Sequence, residues 1–103
     1  RERRLKLDSE WTHQMEKALR KFQPYCVVSS FGDCKGRLET DHVAPLARGN
    51  GLRPGNAIRL CRRHNRRKGA KTFVDLSDGW RQRLQEASIA FQIHWEAVTN
   101  TKL

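Results

Sequence analysis

Cys26, Cys34, Cys61 and His64 stand in two pairs, "CVVSSFGDC" and "CRRH", either side of the two segments that read as strands. Cys61 and His64 are three apart, so on a helical turn they share one face. A thiolate and an imidazole placed this way can converge with a second pair on one tetrahedral Zn²⁺. The first pair has seven intervening residues, wider than the roughly two to four usual in zinc knuckles. Phe31-Gly32-Asp33 reads as the turn that folds Cys34 back toward Cys26. The plain alternative is a set of buried thiols, since free cysteine is among the most buried residues. A metal staple matters here because the chain is short, with 103 residues, 37% of them hydrophobic. Its mean hydropathy is -0.82. Such a chain forms a single domain with a thin core. Three cysteines cannot complete a disulfide framework within one chain. Cysteines used for metal suit an intracellular, cytoplasmic protein.

Two helices are expected to flank this middle. Over residues 8–23, Trp11, Met15, Ala18, Leu19 and Phe22 recur at helical spacing, with Asp8 or Ser9 as the cap and Pro24 as the stop. Over residues 77–98, Trp80, Leu84, Ala87, Phe91, Trp95 and Val98 form one stripe. Both stripes read as packing, and the tryptophans as core in preference to base-stacking platforms. His13 and His94 lack partners at ligand spacing. The middle, residues 25–72, holds six of the seven glycines and all three cysteines. There "GRLETDHV" and "NAIRL" read as short strands and "RRHNRRKGAK" as a short helix ended by Gly69, with "PLARGNGLRPG" a turn-rich loop between the strands. The fold class is therefore α+β, in the order strand, loop, strand, helix. No long apolar run suggests a membrane span. The chain opens on "RERRLKLDSE" without methionine, as a piece of something longer would.

Charge points to a partner. Of a net +10, residues 42–74 carry nine Arg or Lys and no acidic residue. So concentrated a field fits a polyanion, most readily nucleic acid. Arg62, Arg63, Arg66, Arg67, Lys68 and Lys71 are the candidates to track phosphates, although a short helix cannot aim all of them one way. A solvated basic face is the competing reading. Asp41 and His42 sit at the edge of this acid-free stretch.

Taken together, "ETDHVAPLARGNG", Asn56 in "GNAIRLC" and "CRRHNRRKG" resemble the HNH nucleases, whose core is a ββα-metal (His-Me finger) fold. The resemblance covers residues 25–72 and neither flanking helix. It implies that His42 is the general base, that Asp41 and Asn65 bind a catalytic Mg²⁺ or Mn²⁺, and that Asn56 orients the His42 ring. It implies double-stranded DNA as the partner and a bacterial or phage setting. His64 stands where many zinc-bearing relatives have a fourth cysteine, and in relatives without zinc a histidine near this position can hold the catalytic ion. Those residue types suit phosphodiester hydrolysis: a neutral imidazole takes a proton from water, and a hard ion prefers carboxylate and amide oxygens. Glu39 could assist the ion, but a solvated or salt-bridged carboxylate is the plainer reading. A strand points neighbours to opposite faces, so Asp41 and His42 share a site only if the strand bends or ends there. Two rivals stand beside this reading: a non-catalytic zinc module that binds nucleic acid, and a nuclease acting on RNA.

Overall fold

The computed structural model describes residues 8–44, 50–69, 71 and 73–100. Its regular elements are α1 (His13–Phe22), β1 (Leu38–His42), β2 (Ala57–Cys61), α2 (Arg62–Lys68) and α3 (Asp78–Thr99), joined in part by short 3-10 turns. This is a small α+β fold, with a strand–strand–helix unit between two longer helices. Pro45 and the next four residues of the loop, 46–49, lie outside the described residues.

The first helix begins later than its apolar spacing suggests. Thr12 is the cap, its Oγ1 accepting the Met15 amide at 3.1 Å. Asp8 does not cap because its carboxylate is used elsewhere, on the Leu52 amide and His42. Trp11 consequently precedes the helix, yet it still packs edge-on against Phe91. Pro24 disfavours helical backbone at Gln23, whose φ of -121° and ψ of 74° end α1. Gln23 is buried and joins two other elements, accepting the Arg59 amide and donating to the Ala87 carbonyl.

The strands pair antiparallel, Leu38 opposite Cys61 and His42 opposite Ala57. Alternation puts Thr40, His42, Ala57 and Arg59 on the face toward α1, and Glu39, Asp41, Ile58 and Leu60 on the other. Every residue of β2 is buried because both faces are covered. Ile58, Leu60, Val28 and Leu84 belong to one apolar cluster; Leu19, Ala57 and Phe91 belong to a second. Trp80, Leu84 and Ala87 of α3 serve the first cluster, Phe91 and Trp95 the second, so one helix spans both. Its 22 residues run about 33 Å at 1.5 Å each, which outlasts the core. Val98 is therefore 49% exposed, contrary to the expected stripe.

Glu16 ties α1 to the sheet. Its carboxylate accepts from Trp11 Nε1 (2.9 Å), Arg20 Nε (2.7 Å) and Thr40 Oγ1 (2.8 Å). No helix among the described residues is long and apolar enough to cross a membrane.

Candidate metal centre and the acid–histidine pair

The four Cys and His donors meet at the junction of β2 and α2. Cys61 caps α2 and His64 follows one turn later, so both sulfur and imidazole turn inward. The other two arrive from the segment before β1. After the turn Ser29–Phe31 the chain reverses through Gly32 (φ 78°) and Asp33 (φ 65°), two left-handed residues that bring Cys34 back beside Cys26. His64 Nδ1 lies 3.5 Å from Cys26 Sγ, 3.5 Å from Cys34 Sγ and 3.1 Å from Cys61 Sγ. All four donor atoms fall within 4.8 Å of one another. A tetrahedral zinc with ordinary bond lengths separates its nitrogen and sulfur ligands by about 3.5 Å. The set can hold a metal ion, and its size and soft donors are consistent with zinc.

Electrostatics agree with that use. Desolvation and the neighbouring thiols of Cys26 and Cys61 push the Cys34 thiol up to about 12. Burial raises the Cys61 thiol, but the His64 and Lys35 amides and the adjacent thiols outweigh it and leave it below its ordinary value. His64 is 1% exposed and its Nε2 has no hydrogen-bond partner, its ring lying T-shaped against Trp80 instead. Burial also holds the His64 pKa below its ordinary value. A neutral ring is the form that ligates.

The second cluster sits farther along β1. The strand ends at His42, and there the two neighbours approach despite their opposite faces: His42 Nδ1 is 3.8 Å from Asp41 Oδ1. His42 is 6% exposed, and its Nε2 lies 3.1 Å from Asp8 Oδ1. Burial alone would lower the His42 pKa; the Asp41 and Asp8 carboxylates outweigh it, and the net shift is upward. Burial would raise Asp41, but His42 and the Lys68 ammonium hold it below its ordinary value. Lys68 Nζ is 3.1 Å from Asp41 Oδ2 as an ion pair without hydrogen-bond alignment.

Helix α2 lies across the Asp41 face of β1 and meets it in two rungs. Asn65 Nδ2 donates to Glu39 Oε1 at 2.8 Å, and Lys68 pairs with Asp41. Residues three apart on the helix face residues two apart on the strand. The structure thus joins Asn65 to Glu39, not to Asp41. Glu39 is also ion-paired with Arg37, and the Asn65 hydrogen bond leads the effects that keep its carboxyl low. Asn56 is displaced from its expected part as well. Its amide accepts from the Ala44 amide and donates to the carbonyls of Ala44 and Gly51, so its hydrogen bonds clamp backbone on either side of the loop. The ring contact belongs to Asp8, which spacing along the chain did not mark.

The basic residues divide three ways. Lys68 is 2% exposed and committed to Asp41, which removes it from the phosphate-contacting set. Arg63 and Arg67 both hold the exposed Asp33, at 2.5 and 2.8 Å. Arg62 and Arg66 are exposed, as is Lys71, and the two arginines line a cationic depression beside α2 together with Lys35, Gly36 and the Asp33-paired Arg63. Gly36 is required there: a Cβ would lie 2.7 Å from Arg62 Cβ. A separate apolar groove, lined by Val74, Ile89 and Ile93, shares no residue with either cluster. Compared with known proteins, the chain matches no family model, no curated sequence and no solved structure.

Proposed function

We propose that the protein is a metal-dependent nuclease of the HNH type that hydrolyses phosphodiester bonds in DNA. The observation that carries the proposal is the meeting of Asp41 and His42 at the end of β1, 3.8 Å apart, beside a helix with outward-facing arginines. In this reading His42 accepts a proton from water through Nδ1 as the water oxygen bonds to phosphorus and the bridging P–O bond breaks. Asp41 and the Asn65 amide oxygen are the residues that would hold Mg²⁺ or Mn²⁺. Asp41 Oδ2 is a buried carboxylate oxygen without a hydrogen bond, ion-paired to Lys68, and would take the ion in place of that partner. The ion would supply Lewis-acid stabilisation of the phosphate. Arg62 and Arg66 attract the backbone without reading sequence. The Cys/His cluster, with zinc, fixes the junction from which α2 starts.

Nicking of supercoiled plasmid with and without Mg²⁺ or Mn²⁺ tests this, with an RNA of the same length as comparator. Metal-dependent DNA nicking supports the reading; cleavage of RNA alone moves the substrate class. No cleavage of either overturns it.

One observation favours a second reading, a zinc-containing module that binds nucleic acid without cutting it. Lys68 already neutralises Asp41, and Asn65 is engaged by Glu39, so both residues have structural work without an ion. That reading leaves the Asp41–His42 juxtaposition without a purpose, and binding without cleavage is its signature.

A further inference from the structure

We propose that Asp8, outside the strand–strand–helix unit, is the positioning residue of His42, fixing which ring nitrogen carries the proton. The inference rests on the nuclease reading for its catalytic consequence but not for its geometry. Thirty-four positions separate the two residues, yet Asp8 Oδ1 lies 3.1 Å from His42 Nε2. The same oxygen accepts the Leu52 amide at 2.8 Å. Both side chains are largely buried, Asp8 at 16% exposure and His42 at 7%.

An ionised carboxylate only accepts hydrogen bonds, and carboxylates face both ring nitrogens. The 3.1 Å contact to Asp8, against 3.8 Å to Asp41, assigns the single proton of a neutral His42 ring to Nε2. The lone pair then sits on Nδ1, the nitrogen that faces Asp41. A base needs that orientation, because a ring with its proton on Nδ1 cannot take one there. The Leu52 amide holds the Asp8 oxygen from a second direction, so the carboxylate cannot swing away without losing both bonds. Asp8 therefore pins the base and the chain after the loop at a single atom. The pin comes from the segment before α1, so that segment is part of the site.

A purely structural Asp8 would serve the Leu52 amide alone, and the tautomer of His42 separates the two roles. The test is ¹⁵N NMR of the His42 ring in the full zinc-loaded chain, at a pH where the ring is neutral, for parent, Asp8→Ala and Asp8→Asn. The parent should show one tautomer, with the proton on Nε2. Asp8→Ala should give a mixture and lower kcat about ten- to a hundredfold, with KM little changed. Asp8→Asn should keep the parent tautomer, because the Leu52 amide holds the carbonyl oxygen of the new side chain toward the ring. A parent ring protonated on Nδ1 overturns the proposal, and so does an Asp8→Ala ring that stays wholly in the Nε2–H form. Should Asp8→Ala lose its fold, the parent and Asp8→Asn spectra still decide. The two hypotheses fail separately: the predicted tautomers in a protein that cuts nothing sustain the pin and sink the nuclease. Unchanged tautomers in an active enzyme do the reverse.

Discussion

The two polar clusters of this molecule are built in opposite ways. The Cys/His cluster is closed: four donors face one another, and those nearest in sequence, Cys61 and His64, are set by one turn of helix. The Asp41–His42 cluster is assembled from distant pieces, with Asp8 from before α1, the pair itself from β1, and Lys68 from α2. In the first, three thiols crowd a single imidazole and call for a cation. In the second, Asp41 already meets an opposite charge on Lys68. On the nuclease reading proposed above, the closed donor set does structural work, while the groups at the strand end would exchange partners when substrate arrives. Each part of that contrast can be broken by experiment.

The largest effect should come from the closed cluster. About one zinc per chain is expected, and strong chelation or Cys61→Ser should unfold the domain, since such a site contributes folding free energy directly. Circular dichroism and elemental analysis check this. Metal-free protein with unchanged stability would remove the distinction between the clusters.

Lys68→Met comes next. It strips the counter-charge from a largely buried Asp41 and should destabilise the fold by roughly 3–5 kcal/mol, as breaking a buried pair does. Adding Asp41→Asn should recover much of the loss. Denaturant unfolding measures both. A neutral Lys68→Met would mean that the pair does not hold α2 to β1.

A smaller effect separates the arginines. Charge reversal at Arg62 and Arg66 should weaken DNA binding for every sequence and lower the salt slope by about one for each phosphate no longer neutralised. Reversal at Arg63 and Arg67 should act less, because Asp33 already opposes them. Equal weakening by the two pairs would make the whole helix face the DNA-binding surface.

The smallest concerns Glu16. Burial raises its pKa, but hydrogen bonds from Arg20, Trp11 and Thr40 and the Arg20 charge outweigh it, leaving it below the ordinary value. A depressed carboxyl contributes stability that is present above its unfolded pKa and lost as pH falls through the folded one. Glu16→Gln should therefore be about 1.5 kcal/mol less stable than the parent at neutral pH. The gap should close as pH drops below about 4.3. A gap that persists in acid would assign the effect to shape in place of charge.

Much of this arrangement is legible along the chain, and the illegible part has a physical reason. Helical periodicity gives α3 from Trp80 to Trp95 because its apolar stripe meets one or the other of the two clusters along its length. The spacing of Cys61 and His64 works for the same cause: local geometry decides it. Lys68 looks like its basic neighbours, and only the facing rungs of α2 and β1 bury it. That signal was available, since Asn65 and Lys68 are three apart and Glu39 and Asp41 two apart. Asp8 carried no such signal. Its position beside His42 depends on how the segment before α1 returns to the sheet, which no spacing records. Asn56 invited a contact with the ring and instead bonds backbone, because Ala44 and Gly51 together offer it three partners at once.

The central claim is that the closed cluster maintains the fold while the strand-end pair does the chemistry. His42→Ala tests it most directly, with zinc content, DNA affinity and plasmid cleavage measured on the same preparation. The variant should keep its zinc and bind DNA as the parent does, while cleavage falls by roughly two to four orders of magnitude, the usual worth of a positioned acid–base group. Cleavage at the parent rate in a folded, zinc-loaded His42→Ala protein would contradict the account.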